Sequence, residues 1–332
     1  MARNSRSKTI TKMKFSELAA QWILSVSHGV KESTLAHYRY TLERYLLPVF
    51  GSDRLSDLDE QRLEQGILQV ISAASGRHKP LGASSSRECL TMLRRICKYA
   101  AHLHLMRTVE VFVKLPQMEP CQTKPFSAQE QAALREFVLA APTPRKVGLL
   151  LQMQLGLRIG EVCGLQWGDF DLKADVLTVR RTVSRIYCGI GCTKIVVQTP
   201  KTKSSGREIP IPYDLAALLR KLRGSASPDT WFLSGSTERP VEPRCYRKSI
   251  RGYLRRAGVR RVHPHALRHT FATTCLQSGC DIKTLSEILG HADANVTLKR
   301  YVHSDMKRKK SEMQRVFSAV WKKCPAQLHA SA

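Results

Sequence analysis

At 332 residues the chain is too long for one small core and is expected to divide into two domains. With 42% hydrophobic and 24% charged residues it reads as soluble and globular, and no stretch approaches the roughly 18 apolar residues of a membrane span. Lys and Arg number 54 against 27 Asp and Glu, so a formal charge of +27, spread along the chain, points to a polyanionic partner, most simply nucleic acid. Charge of this kind sets a class and no activity. The basic stretch Met1–Lys14 precedes no apolar run of signal-peptide length, so a cytoplasmic location is expected. Ten cysteines scattered through helical-looking segments fit a reducing compartment. Cys188-Gly189-Ile190-Gly191-Cys192 has the spacing of half a zinc site, but no second pair follows at finger-like distance, and free thiols are expected.

From Phe15 to Met106 apolar residues recur at three-to-four spacing in four blocks: Phe15–Val26, Ser33–Leu47, Asp59–Ile71 and Ser84–Leu105. The breaks fall at His28-Gly29, Pro48–Ser52 and Ser75–Gly82. This predicts a helical domain over 10–112. Basic and aromatic residues interleave on the second block (His37, Tyr38, Arg39, Tyr40, Arg44, Tyr45), and Arg87, Arg94, Arg95 and Lys98 mark the fourth. They serve as a solvated face or as phosphate contacts. Prolines at 116, 120 and 125 make 113–126 an extended linker. Ser127-Ala128-Gln129-Glu130 then fits a capping box that opens a second domain over 127–305.

In that domain Lys146–Leu155 and Ile159–Leu165 are predicted helices broken at Gly156. Alternating runs at Val176–Val183, Ile195–Thr199 and Glu208–Ile211 predict a small antiparallel sheet, the last two joined by a turn through Ser204-Ser205-Gly206. Helices are expected again at Leu215–Leu222, Arg244–Ala257, Ala266–Ser278, Ile282–Leu289 and Val296–Tyr301, with Gly279 and Gly290 as stops. The tail, 306–332, carries an amphipathic stretch, Met313–Trp321.

Four separated segments carry chemistry: Leu157-Arg158-Ile159-Gly160-Glu161, Pro200-Lys201-Thr202-Lys203, His265-Ala266-Leu267-Arg268-His269, and Leu289-Gly290-His291 with Tyr301 ten residues on. Taken singly, each has a structural reading. Arg158 pairs with Glu161, His265 starts a helix beside Pro264, His291 caps after Gly290, and Tyr301 is half-buried core. Taken in order on a +27 chain, they resemble the catalytic boxes of the tyrosine recombinase (phage integrase) family, over roughly residues 10–305.

The resemblance implies a mainly α fold with a small antiparallel β-sheet: an N-terminal helical (SAM-like) core-binding domain and a mixed α+β catalytic domain. With the first helix opening near Phe15, there is no room for the arm-binding domain of larger integrases. It also implies a site-specific recombinase that integrates and excises a mobile element through a 3′-phosphotyrosine. Tyr301 would be the nucleophile. Arg158 and Arg268 would hold the non-bridging oxygens, because planar guanidiniums neutralise developing charge without a metal. Lys201 would protonate the 5′-oxygen, with Lys203 as the alternative should the hairpin register shift by two. His265 would accept or relay the tyrosine proton, since a phenol with pKa about 10 is mostly protonated at neutral pH. His291 would donate to the phosphate, and Glu161 would orient Arg158.

No cofactor and no metal are expected, because the phosphotyrosine conserves the energy of the broken bond. The implied partners are double-stranded DNA, three further protomers in a homotetramer on two sites, and a directionality factor, with no membrane. The implied location is the cytoplasm, associated with the nucleoid. The tail either docks on a neighbouring protomer or completes its own core. A type IB topoisomerase shares the tyrosine–arginine chemistry. A non-catalytic DNA-binding protein remains the alternative from another class, since Ile282–Tyr301 also resembles a helix-turn-helix.

Overall fold

A computed structural model describes residues 12–72, 80–117, 124–199, 206–291, 293, 295, 297, 310 and 313–318. The chain forms two compact units, one of residues 1–122 with Val183–Gln198, the other of Thr123–Thr182 with Thr199–Ala332.

The first unit is built on α1 (Phe15–Ser27), α2 (Glu32–Thr41), α3 (Leu47–Phe50), α4 (Glu60–Ile71) and α5 (Ala83–His102). Their apolar faces meet in one core in which Phe15, Leu46, Phe50, Leu63, Ile67, Leu93 and Ile96 are fully buried. The second helical block does not stop at Pro48 as its sequence predicts. A π-helical turn, Leu42–Leu46, widens the helix so that the N–H of Leu47 reaches the carbonyl of Leu42. Pro48 then falls in the first turn of α3, where the N–H it lacks is not needed.

The second unit opens on α6 (Ala128–Ala140), where Ser127 and Glu130 form the expected reciprocal cap. It continues through α7 (Pro144–Gln154), α8 (Ile159–Cys163), β1 (Phe170–Asp171) and β2 (Val176–Val179). After β3 (Thr182–Gly189) and β4 (Cys192–Gln198) come β5 (Arg207–Pro210), α9 (Tyr213–Arg223), α10 (Pro243–Arg256), α11 (His265–Gln277) and α12 (Ile282–Leu289). A three-stranded antiparallel sheet runs β1-β2-β5, with Leu177 opposite Ile209 and Val179 opposite Arg207.

The strand pairing corrects the sequence-based one. The run containing Ile195 pairs with β3 in a two-stranded hairpin, and β5 pairs with β2. The hairpin turns at Ile190-Gly191, with Gly191 at φ +73°, and Cys188 and Cys192 are exposed free thiols beside that turn. In the first unit, to which Val183–Gln198 belongs, the hairpin is tied to α2 and the π turn. Tyr187 donates to Glu43 at 2.6 Å, Lys194 pairs with Glu32 at 2.6 Å, and the Tyr187 ring meets that of Tyr40 edge-on.

Candidate active site

The site is organised by the C-terminal end of α12. Asp281 caps the start of that helix by accepting from the Thr284 N–H, and Gly290 ends it in the left-handed conformation at φ +65°. The Gly290 N–H bonds to the Glu287 carbonyl and the His291 N–H to the Ser286 carbonyl, which closes the helix in a Schellman motif. The next carbonyls, of Ile288, Leu289 and Gly290, lie past the helical bonding pattern. Three guanidinium groups take them in turn: Arg207 Nε at 2.5 Å, Arg268 Nη2 at 2.8 Å and Arg158 Nη2 at 3.2 Å. Cations here satisfy orphan acceptors and meet the negative end of the helix dipole.

Each arginine arrives from a different element. Arg158 is the N-cap of α8, and Glu161 one turn on accepts both its backbone N–H, at 2.8 Å, and its Nη1, at 2.7 Å. Its side chain is 35% exposed. Arg268 lies one turn into α11 and is 3% exposed; its Nη1 donates to the Gly156 carbonyl at 2.8 Å. Arg207 opens β5, whose alternating burial turns it inward with Ile209. It grips Glu161 with Nη1 at 3.1 Å and Nη2 at 3.0 Å.

His291 completes the cluster. Its Nε2 lies 2.9 Å from Arg268 Nη2 and its Nδ1 lies 2.7 Å from Thr297 Oγ1. Since guanidinium only donates, Nε2 accepts, and a neutral ring carries its proton on Nδ1 and donates it to Thr297.

Gly156, between α7 and α8, sits at φ +67°, and a Cβ there would lie 2.5 Å from the Phe271 ring and 2.9 Å from Leu289. Gly156→Ala is therefore expected to cost about 2–4 kcal/mol of stability, from left-handed strain and overpacking together. Urea unfolding with an unchanged m-value measures it.

Glu161 is a buried carboxylate. Burial raises its pKa, but the charges and hydrogen bonds of Arg207 and Arg158 outweigh that and hold it below the ordinary glutamate value. The stability it contributes is thus complete above the unfolded-state value and is lost as pH falls through the lowered folded-state value. The excess of wild type over Glu161→Gln in thermal melts is expected to be constant near neutrality and to shrink below about pH 4.

Of the residues expected from the sequence, the fold brings Arg158, Arg268 and His291 together. His265 begins α11, exposed, and its N–H donates to His263 Nδ1 at 3.3 Å. Lys201 (with its alternative, Lys203) and Tyr301 lie outside the described residues. Arg207 and Thr297 were not anticipated. The signal for Arg207 is its inward register in Arg207-Glu208-Ile209; Thr297, fully buried, carries none beyond its position between His291 and Tyr301.

A helical unit joined to an α+β unit that gathers arginines and a histidine at one helix end fits the class of DNA-cleaving recombinases. The phage integrase family profile matches residues 124–308, and the phage integrase N-terminal SAM-like domain matches residues 14–67. The chain belongs to the phage integrase family and is a tyrosine-type site-specific recombinase, an enzyme that cleaves and rejoins DNA.

Among its relatives, a XerC-like tyrosine recombinase of Caldanaerobacter subterraneus is 30% identical over 187 residues, 51% of this chain and 48% of that protein. XerC of Xanthomonas axonopodis is 28% identical over 304 residues, 85% of this chain and 90% of that protein. A fragment of the Tn1549 transposon integrase, solved with circular-intermediate DNA, shares the fold with a TM-score of 0.68. It is 23% identical, covering 92% of this chain and all of that one.

Proposed function

We propose that the chain exchanges strands between two copies of a specific duplex site, integrating and excising a mobile element through a 3′-phosphotyrosine on Tyr301. The observation that carries this reading is the convergence of Arg158, Arg268 and His291 at the end of α12, ten residues before Tyr301. Two guanidiniums and an imidazole at one spot form a receptor for a phosphate whose non-bridging oxygens gain charge as the tyrosine attacks. Glu161 is the carboxylate bonded to Arg158 and Arg207, while Arg268 donates to backbone carbonyls and faces His291.

The ring of His291 is set against Arg268. A phosphate oxygen entering between them takes hydrogen bonds from both once Nε2 also carries a proton, and the phosphate's charge favours that imidazolium. Lys201 delivers the proton to the departing 5′-oxygen, Lys203 being the alternative, and His265 takes or relays the tyrosine proton. The phosphotyrosine stores the cleaved bond's energy, so rejoining needs no ATP.

Complete exchange between two duplexes cuts four strands, and with one nucleophile per chain this requires four protomers. The tail helix exposes Met313, Val316 and Phe317, which supports docking on a neighbouring protomer. A directionality factor would set the balance of integration and excision. Among the described residues no helix is long and apolar enough to cross a membrane, and we place the enzyme on nucleoid DNA in the cytoplasm.

The test is a nicked suicide duplex from the DNA flanking the gene, on which cleavage traps the intermediate. The expected result is a covalent adduct on the tryptic peptide containing Tyr301. An adduct on another residue, or none on bound and paired sites, overturns the reading. Relaxation of any plasmid with no pairing of sites would replace it with topoisomerase activity.

A further inference from the structure

We propose that Arg207 is a positioning residue for catalysis: it is the fixed counter-ion of Glu161, freeing Arg158 to leave that carboxylate for the DNA phosphate. This rests on the reading of Arg158 as a phosphate ligand. The two arginines share one carboxylate but are held very differently. The Arg207 side chain is 6% exposed and is locked by two bonds to Glu161 and one to the Ile288 carbonyl. The Arg158 side chain is 35% exposed and is held by one short bond to Glu161 and a longer one to the Gly290 carbonyl.

A phosphate can therefore draw Arg158 outward while Arg207 stays. If Arg158 were the sole partner, its departure would strand a buried anion, and that cost would oppose every engagement of the phosphate. With Arg207 in place the carboxylate remains paired in both positions and keeps its bond to the Arg158 backbone N–H, so the base of the side chain does not move. The fold makes room for this arginine. Gly290 packs on it so closely that a Cβ would lie 3.0 Å from Arg207 Cδ and Nη1.

Among the described residues, the charges acting on Glu161 are Arg207, from β5, and Arg158, at the head of α8; α12 contributes backbone carbonyls to both arginines. Removing Arg207 leaves burial opposed by Arg158 alone, so the carboxyl titrates closer to neutrality. A neutral Glu161 no longer orients Arg158.

The test is single-turnover cleavage of a nicked suicide duplex carrying the sequence that the full-length chain selects from a random pool, read from about pH 5.5 to about pH 8.5. Taken as a ratio to wild type, Arg207→Met is expected to lose about tenfold or more throughout this range: at the alkaline end the ionised Glu161 keeps Arg158 from the phosphate, and at the acid end a neutral Glu161 no longer orients it. DNA affinity should stay within about twofold. Arg207→Lys should restore most of the rate, and adding Glu161→Gln to Arg207→Met should cost little further, because both substitutions act through Arg158. A flat ratio near one, or a loss that tracks DNA affinity, overturns the proposal.

Should Arg207→Met not fold, Glu161→Gln alone decides: it is nearly isosteric, is expected to slow cleavage about tenfold without weakening binding, and overturns the proposal if it cleaves as wild type. Arg158→Ala separates the two levels. Wild-type cleavage by that variant sinks the reading of the site, whereas an inactive Arg158→Ala beside a wild-type-like Arg207→Met sinks only the role of Arg207.

Discussion

Tyr301→Phe is expected to eliminate the covalent adduct, lowering strand cleavage by at least about 10⁴-fold while DNA affinity stays within about twofold. The substitution removes one oxygen and keeps the ring, so contacts that depend on shape survive. On the proposed reading, what disappears is the oxygen that takes over the phosphorus while the 5′-oxygen leaves. Water is a poor replacement, because the arginines stabilise charge only after an attacking group is in line. A non-catalytic DNA-binding chain makes the opposite prediction, no measurable change. Equal losses of cleavage and binding would move Tyr301 from the chemistry to the contact surface. Suicide-substrate trapping and gel-shift titration on the same preparations measure both quantities.

Much of the site was legible because its residues are punctuated locally. Gly156 and Gly290 are stops whose φ values, +67° and +65°, only glycine adopts cheaply. The basic residues beside them, Arg158 and His291, are therefore placed by the backbone itself. Arg268 is placed by helix periodicity. Arg207 was hidden for the opposite reason. A lone arginine at the start of a strand is ordinarily solvated, and the carboxylate that makes its burial affordable lies 46 residues away in the chain. The strand order failed for a similar reason. Alternation marks strands but not partners, and the Ile190-Gly191 turn pairs β4 with β3. Pro48 misled because helix-stop rules assume α geometry, which the π turn before it relaxes.

Arg268 carries the second large effect. Arg268→Ala is expected to slow cleavage by about 10²-fold, near 3 kcal/mol, comparable to deleting one donor from an oxyanion hole. The structure adds a second consequence. Because the guanidinium donates to the carbonyls of Gly156 and Leu289, its removal leaves two buried acceptors unmet and is expected to cost about 1–3 kcal/mol of stability. It also releases His291 Nε2 from its donor, so the imidazole loses the partner that fixes its tautomer. Arg268→Lys separates these effects. An ammonium can satisfy one carbonyl but cannot span both and still face His291, so part of the stability should return while cleavage stays slow. Affinity for duplex DNA should fall far less than the rate in both variants, since one phosphate contact among many is lost. Single-turnover cleavage, run well below each variant's melting temperature, decides the matter. If cleavage by Arg268→Lys rises in step with its stability, the arginine acts by holding the end of α12, and transition-state stabilisation falls to Arg158.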